Sequence, residues 1–129
     1  MSIFRRARGG LGRVSAAEAA TRTGHGNAAA SGADAVLLDV REPDEWQAGH
    51  APGAVHLPLP RLAAGAALPA HAQARPVVVI CRSGNRSRQA AEILAARGSQ
   101  AVDVIGGMRE WADAGLPVVD TLGGNGTVR

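Results

Sequence analysis

Four consecutive β-branched residues, Val77-Val78-Val79-Ile80, follow directly on Pro76 and run into the chain's single cysteine, Cys81. Such side chains pack well on a pleated, extended backbone, so this run is the clearest strand in the chain. A strand that is apolar at every position, and not only at every second one, needs cover on both faces. A second run of this kind, Ala35 to Val40, is broken only by Asp39. Helical segments separate and follow the strands, which specifies an α/β domain around a mostly parallel sheet. In sheets of that kind ligands bind beyond the carboxyl ends of the strands. Cys81 stands at such an end, with a helix to follow.

The remaining elements follow from local signals. Ser15-Ala16-Ala17-Glu18 has the form of a capping box and opens a helix to about Thr23, with Ala28 to Ala30 as a candidate extension. Pro43 suits a first helical turn, giving a helix over 43–48 that Gly49 ends. Residues 54–57 read as a short strand, and 58–74, punctuated by Pro60, Gly65 and Pro69, as one short helix with flanking turns. Residues 87–97 place Ala90, Ala91, Ile93, Leu94 and Ala95 on a broad inner face and stop at Gly98. A strand over 101–105 and a helix over 108–114, closed by Gly115 and Pro117, complete the pattern. With 129 residues, 46% of them hydrophobic, one core is expected. The expected divisions are a flexible basic tail at 1–13, the domain at 14–119 and a flexible Gly-rich tail at 120–129.

Charge excludes several classes of function. The pI of 10.9 suggests a nucleic-acid binder, but all 14 basic residues are Arg and the formal net charge is only +3. With no Lys or Tyr to titrate, a small excess drives the pI far up. Residues 1–22 hold Arg5, Arg6, Arg8, Arg13 and Arg22 against Glu18, whereas the rest of the chain is close to neutral. The arm is read as a solubilising tail, with contact to RNA or an anionic membrane as the alternative. Three aromatic residues in all, Phe4, Trp46 and Trp111, leave no stacking platform for single strands, so no nucleic-acid partner is expected. No apolar run approaches the roughly 20 residues of a membrane span, and the start lacks a secretory pattern, so no membrane is expected and the location is read as cytoplasmic. One cysteine makes no internal disulfide and no cysteine-based zinc site, and His25, His56 and His71 lack ligand spacing. Neither metal nor cofactor is expected.

The loop Cys81-Arg82-Ser83-Gly84-Asn85-Arg86-Ser87 carries the chemistry. Gly84, and less easily Asn85, adopts the positive φ that curls successive amides toward one point. The helix that follows adds unsatisfied N–H groups and a positive dipole end, favouring a thiolate and an anion beside it. A thiol so placed is expected to be substantially ionised at neutral pH without a neighbouring base. The plainer reading of Cys81 is a small buried hydrophobe. Against it, Arg82, Arg86 and Arg88 crowd a helix N-terminus, where cations are unfavourable unless something anionic offsets them. Arg82 and Arg86 are the candidate anion-binding side chains, since a guanidinium fork fits paired oxygens. Ser87 is a candidate helix cap or a donor to the sulfur. Asp39, on a buried strand, is expected to pair with Arg41 or a loop amide. His50 reads as a hydrogen-bonded turn residue, Gly107 as a close approach to the loop, and Trp111 as a core anchor.

Three ordered motifs give this pattern a family. Leu38-Asp39-Val40-Arg41-Glu42 with Glu45-Trp46 and Gly49-His50-Ala51-Pro52-Gly53-Ala54 comes first, the cysteine loop second, and Gly106-Gly107-Met108-Arg109-Glu110-Trp111 with Ala114-Gly115-Leu116-Pro117-Val118 third. From about Val14 to Val119 the chain resembles the single-domain rhodaneses. The resemblance implies a three-layer α/β/α domain with a central, mostly parallel sheet of about five strands. It also implies Cys81 as the sulfur carrier, with the amides of Arg82 to Ser87 lining the pocket. Thiolate Cys81 would take the outer sulfur of thiosulfate, release sulfite and pass the persulfide sulfur to cyanide or another thiol. Two alternatives accompany this expectation: a relay or regulatory module loaded by a partner protein's persulfide, and a cysteine-dependent phosphatase or arsenate reductase. The latter families of this fold class place Arg six positions after the cysteine, where this chain has Ser87.

Overall fold

The structure, a computed structural model, describes residues 12–25 and 34–129. The basic residues Arg5, Arg6 and Arg8 and the suggested extension at Ala28 to Ala30 lie outside the described residues. The sheet contains β1 (Arg13–Val14), β2 (Val36–Asp39), β3 (Val55–His56), β4 (Val77–Ile80) and β5 (Ala101–Val104), in the order β1-β5-β4-β2-β3, with every pair parallel. The helices are α1 (Ala16–Thr23), α2 (Pro43–Ala48), α3 (Leu59–Ala63), α4 (Ala70–Gln73), α5 (Asn85–Ala96) and α6 (Gly107–Asp113).

Strand parity builds two cores. Val78 and Ile80 face one side with Leu37, Val102 and Val104, where α1 brings Ala16, Ala19 and Ala20 and α6 brings Met108 and Trp111. Val77 and Val79 face the other side with Val36, Leu38 and Ala101, under Leu62 of α3, Ala72 of α4 and Ala90, Ala91 and Leu94 of α5. Both faces of β4 are closed, and all four of its residues are 0% exposed. Each such side chain contributes roughly 1.5–3 kcal/mol relative to an exposed one. This is the three-layer α/β arrangement that the unbroken apolar run requires.

Local differences from the sequence reading have physical causes. The stretch 58–74 forms two short helices, because Pro69 ends the intervening turn and caps the second. Helix α5 begins at Asn85, two residues before the expected start, with Gly84 at its N-cap (φ 107°). The expected tail boundaries also move. Arg13 belongs to β1, paired in register with Asp103. The C-terminal stretch folds back over α2: Val119 bridges His50 and Asn125, and the Thr127 amide donates to the Ala48 carbonyl at 2.9 Å. Val128 packs on the first core.

Candidate active site

Cys81 continues the inward parity of Val77 and Val79, so its side chain lies on the α5 face at the carboxyl end of the sheet. The residue is 1% exposed. On one side it joins the aliphatic cluster with Ala90 and Ala91, and on the other its sulfur meets polar groups. The Gly84 N–H donates to Cys81 Sγ at 3.1 Å, and Ser87 Oγ lies 3.4 Å from the sulfur. The left-handed φ of Gly84 turns that amide inward. The leading amides of an α-helix have no intrahelical acceptor and point along the axis beyond its N-terminus. Those of Asn85, Arg86 and Ser87 therefore face the loop that holds the sulfur. Arg82, Ser83 and Asn85 have exposed side chains.

Helix α6 braces the loop from beneath. The Met108 amide donates to the Cys81 carbonyl at 2.7 Å, and the Arg109 amide to that of Arg82 at 3.1 Å. Gly107 (φ 58°) makes this approach possible, since a Cβ there would stand 2.7 Å from Arg82 O and closer still to the Cys81 carbonyl oxygen. The collision expected at Gly107 is thus a contact with the backbone of Cys81 and Arg82.

Ser87 does not cap α5, because it sits three residues beyond the Gly84 N-cap. Its hydroxyl is buried and donates to Asp103 Oδ2 at 2.9 Å. Asp103 is also buried, and Arg13 holds both of its oxygens, with Nε 3.0 Å from Oδ1 and Nη2 3.1 Å from Oδ2. The same Nη2 donates to the Gly84 carbonyl at 3.2 Å. Sequence reasoning misses Arg13 and Asp103 as site residues. A carboxylate in the otherwise apolar stretch Ala101 to Ile105 is the available signal, by the same reasoning that marks Asp39.

The two candidate guanidiniums part company. Arg82 makes no ion pair among the described residues. Arg86 is taken up by Glu45 of α2, with Nη1 2.6 Å from Oε1 and Nη2 2.9 Å from Oε2. That hydrogen-bonded pairing is the main cause holding Glu45 below its ordinary value, against a smaller opposing effect of burial, and it raises Arg86 in the same way. Because folded Glu45 binds its proton more weakly than the unfolded chain does, the pair's stability is complete above pH 4.5 and is lost as the pH falls through the lower native value. The pair is partly exposed, so its full contribution is about 0.5–1 kcal/mol. Urea midpoints measured from neutral pH down to roughly pH 3 should fall less steeply in Glu45→Gln than in the parent chain; parallel slopes would show the pair to be inert.

The remaining residues hold the frame. Asp39 Oδ1 accepts from the Arg41 amide and from Nε, each at 3.0 Å, and Oδ2 from Nη2 at 2.7 Å. Both side chains are buried, and Arg41 Nη2 also reaches the Gly49 carbonyl at 2.6 Å, tying α2 to the end of β2. His50 Nδ1–H donates to the Trp46 carbonyl, and its ring stacks on Trp46 at 3.6 Å. Trp111 is fully buried with its N–H on the Pro117 carbonyl. Among the described residues no group of three or more His, Cys, Asp or Glu could hold a metal ion, and no helix is long and apolar enough to cross a membrane.

Comparison with known proteins places this geometry. An uncharacterized protein of Synechocystis sp. is 42% identical over 87 residues, and the chain spans about half (48%) of the length of that curated relative. A rhodanese-related protein of Thermoplasma volcanium is 35% identical and superposes with a TM-score of 0.59 over 67% of this chain and 84% of its own. A rhodanese-like domain protein of Staphylococcus aureus is 25% identical, with a TM-score of 0.64 over 82% of this chain and 96% of its own. The rhodanese-like domain model matches residues 15–114, from the N-cap of α1 to the C-cap of α6, and the chain therefore belongs to the rhodanese-like domain family.

Proposed function

We propose that the chain is a sulfurtransferase that carries sulfane sulfur as a persulfide on Cys81. The observation that carries this reading is the Gly84 N–H aimed at Cys81 Sγ from the N-cap of α5. A backbone amide and a positive helix end favour negative charge at the sulfur without a neighbouring base. In the first step the Cys81 thiolate attacks the outer sulfur of thiosulfate. A new S–S bond forms, the S–S bond of thiosulfate breaks, and sulfite leaves with the electron pair. Sulfite is stable as an anion at neutral pH, so no general acid is required. In the second step cyanide or a thiolate attacks the outer persulfide sulfur and Cys81 departs as thiolate.

The donor is a small oxyanion in this reading. Cys81 is 1% exposed, which limits the groups that reach it. Arg82, which makes no ion pair among the described residues, supplies positive charge beside the loop, while Arg86 acts mainly by fixing α5 to α2 through Glu45. A partner protein's persulfide is the other donor consistent with the same carrier cysteine.

Incubation with thiosulfate followed by intact-mass measurement should show one added sulfur atom, lost on cyanide treatment and never acquired by Cys81→Ser. An unmodified parent mass from pH 6 to 9, with both thiosulfate and a protein persulfide as donors, would overturn the proposal.

A further inference from the structure

Four polar side chains from separate segments converge behind the cysteine loop. Parity places Cys81 of the loop, Asp103 of β5 and Arg13 of β1 on the same face of the sheet as α5, and the first full turn of α5 sets Ser87 among them. Ser87 and Asp103 are at most 1% exposed. The distances define a hydrogen-bond order. Asp103 receives two N–H groups from Arg13 and the hydroxyl proton of Ser87. A serine has one proton to give. With that proton directed at Asp103, the Ser87 oxygen presents lone pairs to Cys81 Sγ, 3.4 Å away.

We propose that Asp103, fixed by Arg13, is a positioning residue that claims the Ser87 proton and so makes Ser87 a hydrogen-bond acceptor toward Cys81. The inference rests on the proposed use of Cys81 as the nucleophile. As a free thiol, Cys81 donates its S–H to Ser87 Oγ. As a thiolate it competes with the Asp103 carboxylate for the one hydroxyl proton and keeps the Gly84 amide as its assured donor. Once sulfur is loaded, Sγ is neutral and the negative charge moves to the outer sulfur. The arrangement thus disfavours the bare thiolate more than the loaded persulfide. It slows every reaction of the unloaded cysteine, loading included, and leaves the loaded state less affected.

Other charged groups surround the loop. Arg86 of α5 faces Glu45 of α2 and Glu42 at its N-cap, Arg82 lies in the loop itself, Arg109 and Glu110 belong to α6, and the Asp39–Arg41 pair stands at the end of β2. Substitutions at Asp103 and Ser87 leave all of them in place, so their influence cancels in the comparison.

The test is the rate of Cys81 alkylation by iodoacetamide against pH, read by intact mass on the full chain without any sulfur donor. In Asp103→Asn the side-chain amide donates to Ser87 Oγ, which frees the hydroxyl proton for the sulfur. The rate at pH 6.5 should rise roughly tenfold, while the plateau at high pH stays unchanged. Ser87→Ala removes the acceptor of the S–H and should also raise the rate at pH 6.5. If Ser87 were a donor to the sulfur, the same variant would slow it. In Asp103→Asn/Ser87→Ala the rate should exceed that of Ser87→Ala by clearly less than Asp103→Asn exceeds the parent, because only the direct effect of the lost charge remains once the hydroxyl is gone. A slower Ser87→Ala, an unchanged one, or an Asp103 effect that persists undiminished without Ser87 would each overturn the proposal. Ser87→Ala decides the sign by itself should Asp103→Asn fail to fold. Since alkylation needs no thiosulfate, these results are independent of whether the persulfide forms.

Discussion

Gly107→Ala is expected to lower stability by about 3–5 kcal/mol, a fall in melting temperature of roughly 10–20 °C for a domain of this size. Two causes add. The residue has φ 58°, where a Cβ costs roughly 1–2 kcal/mol. Its Cβ would also overlap the carbonyls of Cys81 and Arg82, rigid backbone held in place by the Met108 and Arg109 amides. Relief requires α6 to withdraw from the loop, which breaks those two hydrogen bonds and releases the backbone of Cys81. Gly115→Ala separates the causes, because Gly115 has φ 76° and a Cβ there would meet nothing within 4 Å. That variant should lose only the conformational part, about 1–2 kcal/mol. Chemical denaturation of both provides the check. Equal losses would mean that the close approach of α6 to the loop has no energetic weight.

Arg41→Met should be of similar size, costing about 3–5 kcal/mol. Arg41 and Asp39 are both 0% exposed, and the guanidinium gives Asp39 three of the four hydrogen bonds between the two residues. Its removal leaves a buried carboxylate with a single amide donor and frees the Gly49 carbonyl at the end of α2. The cost arises from the orphaned charge more than from the loss of attraction, because a buried ion pair roughly offsets its own desolvation. Asp39→Asn/Arg41→Met should therefore recover part of the loss, measured by urea unfolding at neutral pH. A double variant no more stable than Arg41→Met would assign the loss to the Gly49 contact and to packing.

Much of the fold was legible because its signals are local. The apolar run Val77 to Ile80 needed cover on two faces whatever the rest of the chain did, and Pro76 and Cys81 bounded it to the residue. Ser15 capping the Glu18 amide, and Pro43 in the first turn of α2, were equally readable from spacing. Strand β1 was not, since two residues carry no periodicity and pair only because β5 offers them a free edge. The fold-back of the C-terminal stretch was hidden in the same way. Its glycines suggested a loose tail, but a Cβ on Gly126 would stand 2.8 Å from the Gly49 Cα, so this glycine serves a close backbone approach that composition does not reveal.

The candidate site divides along the same line. By itself the sequence determined the alternation of strands and helices, the cysteine at the carboxyl end of β4, and a sulfur beside a glycine that turns an amide inward, because each depends on neighbours within a few positions. Only the tertiary structure decided what surrounds that sulfur. Arg13 meets Asp103 across 90 residues, and Arg86 meets Glu45 across 41. Charge pairing of this kind follows from strand order and helix placement, and residue type alone leaves every arginine equally available to every carboxylate. Folding chose that Arg86 is paired while Arg82 makes no ion pair among the described residues, and that the Ser87 hydroxyl donates to Asp103.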